Sequence, residues 1–133
     1  MKARIALVGA FAAAIAALAV PTPAHAGPNN NDAASVAGVS SLPASEGCPP
    51  GNFCIYTGPH YTGRVYRLYN CRNYSLANWN GGGSWLNHNT GGALAYIKDQ
   101  NGRKLVTSDP DRKKNTWYGY EYNFKPAWFV QAC

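Results

Sequence analysis

From residue 53 onward the chain alternates short apolar runs with polar punctuation. Residues 53–56 (FCIY), 64–69 (RVYRLY), 93–98 (ALAYIK), 104–108 (KLVTS), 117–124 (WYGYEYNF) and 127–131 (AWFVQ) are rich in aromatic and β-branched side chains, with Gly, Asn and Pro between them. Such runs read as strands, because these side chains fit a pleated surface and the residues between them favour turns. Outside the first twenty-odd residues no segment sustains an apolar period of 3.6, so no helix is expected there. In 117–124, Tyr118, Tyr120, Tyr122 and Phe124 hold alternate positions, which predicts a strand with one aromatic face. Asn101-Gly102 falls between two runs and predicts a two-residue hairpin turn, since both residues tolerate positive φ. Many short strands joined by turns make an all-β sandwich or barrel the expected fold.

The first 47 residues break this pattern. Lys2 and Arg4 precede an apolar run over 5–20, and Ala24-His25-Ala26 follows it, which is the form of a secretory signal (1–26) cut before Gly27. A membrane anchor is disfavoured because the run is short, Ala-rich and broken off by Pro21 and Pro23. Residues 27–47 are rich in Gly, Asn, Ala, Ser and Pro with no aromatic residue, so they are expected to be a flexible leader that cannot offset its ordering entropy. All four cysteines, four tryptophans and nine tyrosines lie in 48–133, which is read as one small domain.

A domain of that size buries a limited share of its surface, and exported domains commonly add disulfides. Cys48, Cys54, Cys71 and Cys133 form an even set that allows three pairings. We favour Cys48 with Cys54 and Cys71 with Cys133, the second tying down the C-terminus. No C-x-x-C pair is present and His60 and His88 stand apart, so no metal site and no cofactor are expected. Loss of Lys2 and Arg4 with the signal leaves ten basic side chains against six acidic ones, a net of +4. That balance calls for neither a nucleic-acid nor a membrane partner. The one dense cluster is Arg112-Lys113-Lys114, which has the charge to meet an acidic surface or cell-wall polyanion.

The stretch YTGPHYTG (56–63) must turn the chain back between two strands. If the hairpin folds onto its own sheet, Tyr56 and Tyr61 stack ring against ring beneath it, while Gly63 supplies a backbone geometry that a Cβ disfavours. Aromatic-x4-aromatic-x-Gly is the folded-hairpin pattern of a βγ-crystallin Greek key. Together with CPPGNFCIY and the following Gly63-Arg64-x-Tyr66, the chain from Cys48 to about Ile97 resembles a secreted bacterial peptidase inhibitor family, typified by the Streptomyces metalloproteinase inhibitor. The resemblance implies a crystallin-like Greek-key sandwich, an extracellular monomer, and an inhibitor of secreted proteases, metalloproteases in particular. It also implies a rigid exposed loop that enters the protease cleft extended, like a substrate.

The family's characterised reactive bond lies in the second half beside a cysteine, and this chain has none between Cys71 and Cys133. We therefore expect the contact loop in 107–115, with Ser108, Asp109, Pro110, Asp111, Arg112, Lys113 and Lys114 as its residues. The other polar stretch, 78–92 with Gly81-Gly82-Gly83, lacks the Lys-Ser/Thr of a phosphate loop and is expected to be a flexible crossover, with Trp79 and Trp85 in the core. Residues 87–92 carry amides but too few charged oxygens for calcium, which takes about six or more. His60, His88, Glu121 and Arg67 are the side chains a small hydrolase would recruit, yet no triad order or paired carboxylates accompany them, so no enzyme is expected. The alternative is a basic β module that binds cell-wall polymer or acts as an antimicrobial.

Overall fold

The computed structural model describes residue 31 and residues 33–133. The expected signal and residues 27–30 of the leader lie outside these. Ten strands form: β1 (Ser35–Val36), β2 (Leu42–Pro43), β3 (Asn52–Tyr56), β4 (Arg64–Leu68), β5 (Asn73–Ala77), β6 (Gly82–His88), β7 (Ala95–Lys98), β8 (Lys104–Ser108), β9 (Tyr118–Asn123) and β10 (Phe129–Gln131). They make two five-stranded antiparallel sheets, ordered β2-β4-β3-β6-β9 and β1-β5-β10-β7-β8.

Two interlocked Greek keys underlie that order. In the first, β3 and β4 pair as a hairpin, β5 crosses to the other sheet and β6 returns beside β3. In the second, β7 and β8 pair, β9 crosses and β10 returns beside β7. Each key thus gives its third strand to the other's sheet, and the protein is the disulfide-stabilised crystallin-like sandwich that the folded-hairpin pattern implied. The core lies between the sheets: Phe53, Ile55, Leu68, Ile97, Phe124 and Val130 are fully buried, and Tyr74, Trp79 and Trp85 nearly so. Cys48–Cys54 and Cys71–Cys133 are bridged, with Cα atoms 5.9 and 4.8 Å apart.

Four sequence expectations change. The described part of the leader is structured: β1 pairs with β5, β2 pairs with β4, and the fully buried Asn31 side chain donates to the carbonyls of Thr57, Gly81 and Gly82. Tyr66 and Trp79 also donate to Ala34 and Ser35 carbonyls. Composition missed this because the segment has few apolar residues, and hydrogen bonds hold it together with the buried Ala34 and Val36.

The glycine-rich stretch is not a crossover loop. Gly82 opens β6, which lies between β3 and β9, and a Cβ on Gly83 would sit 2.5 Å from the Tyr56 carbonyl oxygen and 2.9 Å from the Phe124 ring. The glycine admits the folded hairpin and a core ring to the strand.

The tyrosine strand has two aromatic faces. Gly83 pairs with Tyr122 but Trp85 with Gly119, so β9 carries one extra residue there. This bulge turns Tyr118 and Tyr120 to the outer side with Tyr61, while Tyr122 packs with Phe124 on the core. The Asn101-Gly102 turn is wider than expected. Gly102 N–H bonds Asp99 O at 3.0 Å and Asp99 N–H bonds Arg103 O at 2.9 Å, so Gln100 and Asn101 form the centre and only Gly102 takes positive φ (78°). The Asp99 carboxylate draws the turn in by accepting from Asn101 N and Arg103 N.

Candidate functional site

The folded hairpin is the first fixed point. His60 and Tyr61 take positive φ, Gly63 has φ 80°, and the Tyr56 and Tyr61 rings lie 5.3 Å apart. Ser84 of β6, fully buried, locks the turn: its hydroxyl donates to Gly58 O at 2.7 Å and accepts from Tyr61 N at 2.8 Å. Burial, reinforced by the neighbouring Tyr120, Tyr56 and Tyr118, raises the Tyr61 phenol well above the usual tyrosine range, so it stays neutral.

An aromatic ridge runs from this hairpin along β9. Tyr61 meets Tyr120 at 5.2 Å, Tyr120 meets Tyr118 at 4.6 Å, and Tyr118 meets Trp117 at 4.8 Å. His60 stacks on Tyr120 and its Nε2 reaches Glu121 at 2.9 Å, both groups being exposed.

At the far end of the ridge stands the β8–β9 loop. Its entry is held by Asn87, whose buried amide donates to Ser108 O at 3.0 Å, and its exit by Asn87 N–H on Trp117 O at 2.7 Å. Between these, Asp109 Oδ1 accepts from Asp111 N and Asp111 Oδ1 accepts from Lys113 N, each at 3.0 Å. These two side-chain turns wind residues 112–116 into bends, where an extended segment was expected. Lys114 Nζ closes the loop on Asp109 Oδ2 at 2.5 Å. The Lys114 hydrogen bond, then that from Asp111 N–H, hold the Asp109 carboxyl below its ordinary value, and the same contact raises Lys114.

Arg112 braces the loop from below. Its guanidinium lies 5.2 Å from the Trp117 ring centroid and its Nη2 is 3.4 Å from His88 Nε2. His88 Nδ1 is 2.7 Å from Cys48 O, which can only accept, so Nδ1 donates there and Nε2 is the ring nitrogen turned to Arg112. The loop is thereby joined to the Cys48–Cys54 staple.

Of the seven residues expected to meet a protease, Asp111, Arg112, Lys113 and Lys114 are exposed and Asp109 and Pro110 half-buried. Ser108 is buried at 1% exposure and belongs to the end of β8, so its side chain is not at the surface. His88, Trp117, Asn87 and Ser84 support the two turns and were not singled out for that. The amides of 87–92 serve the fold too: Asn87 Oδ1 accepts from Asn89 N, and Asn89 Nδ2 donates to Ala132 O. The small-hydrolase set does not converge: His60 and Glu121 meet at the hairpin, His88 is bound to Cys48 and Arg112, and Arg67 donates to Glu46 and Gly47 carbonyls.

The β8–β9 loop can be compared with its counterpart in the first Greek key. There β4 ends at Leu68 and β5 starts at Asn73, leaving four residues, whereas β8 ends at Ser108 and β9 starts at Tyr118, leaving nine. The fold closes this connection with four residues, so the second loop exceeds what the topology requires. The protein is thus a disulfide-stapled β sandwich with a long, braced connection between β8 and β9. Residues 42–123, more than half of the chain and inclusive of this loop, match peptidase inhibitor family I36, and the chain belongs to that family. It is therefore an inhibitor-family protein and not an enzyme, with a protease as its class of partner. No curated protein and no solved structure matches it. Among the described residues no helix is long and apolar enough to cross a membrane, and the two disulfides fit an oxidising compartment.

Proposed function

We propose that the protein is exported by its 1–26 signal and acts outside the cell as a monomeric inhibitor of a secreted protease, a metalloprotease being favoured. Residues 109–114 are the part it presents to the cleft. The observation that carries this is the loop itself, five residues longer than its counterpart and ordered by Asp109, Asp111 and Arg112. Ordering in the free protein lowers the entropy lost on docking, which is how a small rigid loop reaches high affinity. The wound conformation makes the loop a knob rather than a substrate-like strand.

The wall-binding alternative is less supported here, because two of the three clustered cations are already engaged: Lys114 on Asp109, and Arg112 on Trp117 and His88. Titration of a thermolysin-type metalloprotease by the oxidised protein, with a serine protease in parallel, tests the reading. Stoichiometric loss of the metalloprotease activity alone is expected. Loss of only the serine protease activity would overturn the metalloprotease preference, and binding that collapses with added salt would favour the wall-polymer module.

A further inference from the structure

A second concave feature lies apart from the loop. A groove of about 470 Å³ opens where Arg67, Tyr69, Asn70 and Arg72 face Ser40. No acidic side chain lines it, and among the described residues neither arginine forms an ion pair. Arg67 is fixed by donating Nε–H to Gly47 O at 2.9 Å and Nη2–H to Glu46 O, which leaves three guanidinium N–H groups for another acceptor. Arg72 rests 4.2 Å above the Tyr74 ring, with its guanidinium near Gly38, where a Cβ would come within 3.3 Å of it. The 69–72 connection is itself rigid, held by the Cys71–Cys133 bridge, by Asn70 N–H on the Tyr74 hydroxyl at 3.1 Å and by Ala132 N–H on Arg72 O at 3.4 Å. Beside the arginines stands Tyr69, with 68% of its surface exposed.

We propose that this groove binds a phosphate group carried on a sugar or polyol. A guanidinium with three N–H groups still free at Arg67, and another at Arg72 held only against the Tyr74 ring, call for an anion where no counter-charge lines the groove. Their donors and the Asn70 amide line the groove from residues 67–72 and the Ser40 hydroxyl lines it from a second segment, more donors than the two oxygens of a carboxylate use and a better match to the several oxygens of a phosphate. The exposed Tyr69 ring adds a flat apolar platform on which the C–H face of a sugar rests. The groove of about 470 Å³ is larger than one phosphate needs, so it also holds the carrier. This inference goes beyond protease inhibition and stands whether or not the loop inhibits.

The test is an amide-resolved NMR titration of the oxidised full chain with glucose 6-phosphate, inorganic phosphate, glucose and acetate, at matched ionic strength. Saturable shifts confined to Gly38, Ser40, Tyr69, Asn70 and Arg72 are expected, with glucose 6-phosphate binding tighter than phosphate and glucose and acetate inert. Arg72→Gln is expected to weaken both phosphates about tenfold. Tyr69→Ala, at an exposed position, is expected to bring glucose 6-phosphate down to the affinity of phosphate and leave phosphate unchanged. Linear or absent shifts, equal binding by Arg72→Gln, or an acetate response matching that of phosphate would each overturn the proposal.

Discussion

Replacing Ser84 by Ala removes one oxygen that two backbone groups share. The hydroxyl donates to Gly58 O at 2.7 Å and accepts from Tyr61 N at 2.8 Å, inside a turn whose residues 60 and 61 hold positive φ. Neither group gains a substitute from an alanine methyl, and a buried polar group left without its partner costs about 1–3 kcal/mol. The Gly58 carbonyl sits in a buried contact and the Tyr61 N–H in a part-buried one, so the sum lands near 3 kcal/mol, roughly 12–24 °C in Tm for a domain of this size. The damage is local as well, since Tyr61 then loses its seat between Tyr56 and Tyr120 and the near-ultraviolet circular dichroism of the tyrosines falls. Urea and thermal melts of the oxidised protein measure the loss. Thr62→Ala is the control, because that hydroxyl bonds Pro59 O at an exposed site and its removal is expected to cost under about 1 kcal/mol. A Ser84→Ala loss no larger than that of Thr62→Ala would refute the claim that this serine locks the hairpin.

The two disulfides differ in weight: Cys71–Cys133 spans 62 residues and Cys48–Cys54 only 6, so removing each pair is expected to cost about 4 and about 2 kcal/mol by loop entropy, as read from urea melts. Gly83→Ala forces a Cβ against the Tyr56 carbonyl and Phe124 and is expected to destabilise by about 1–3 kcal/mol, as read from urea melts. Asp109→Asn is expected to leave the melt unchanged but raise the inhibition constant roughly tenfold, because the loop then orders only on docking. The Asp109 carboxyl is depressed below 3.8, so its share of loop order is complete above that pH and is lost as pH falls through the lower folded value. Lys114 is raised above 10.5, so its share is complete below that pH and is lost as pH rises through the higher folded value; NMR shifts of residues 109–114 should therefore stay flat across the neutral range.

Strands whose side chains are branched or aromatic were legible as strands, and the folded hairpin was legible from three residues, because Tyr56, Tyr61 and Gly63 each answer a local geometric demand. β5 and β6 were not. In β5 only Tyr74 and Leu76 face inward among polar neighbours, and β6 opens on glycines that exist to let other chain segments approach. Periodicity registers side chains that are present, so a strand defined by missing ones escapes it. The β9 bulge escaped for a related reason: one extra residue exchanges the faces of every tyrosine beyond it, and nothing in the alternation marks where it falls. The loop's position could be read from its punctuation between two strands. Its winding could not, since that depends on which N–H groups Asp109 and Asp111 capture. Its brace was equally hidden, because His88 meets Arg112 only once β6 and the β8–β9 loop are brought together.

The β8–β9 loop is proposed here as the surface a protease meets. Hydrogen–deuterium exchange of the oxidised protein, free and saturated with the protease that the titration identifies, tests it most directly. Strong protection of amides 111–116, extending to Trp117 and the His60–Tyr61 turn beside Tyr120, is the predicted result. Protection confined to the β1-β5-β10-β7-β8 sheet, with the loop exchanging as fast as in the free protein, would contradict it.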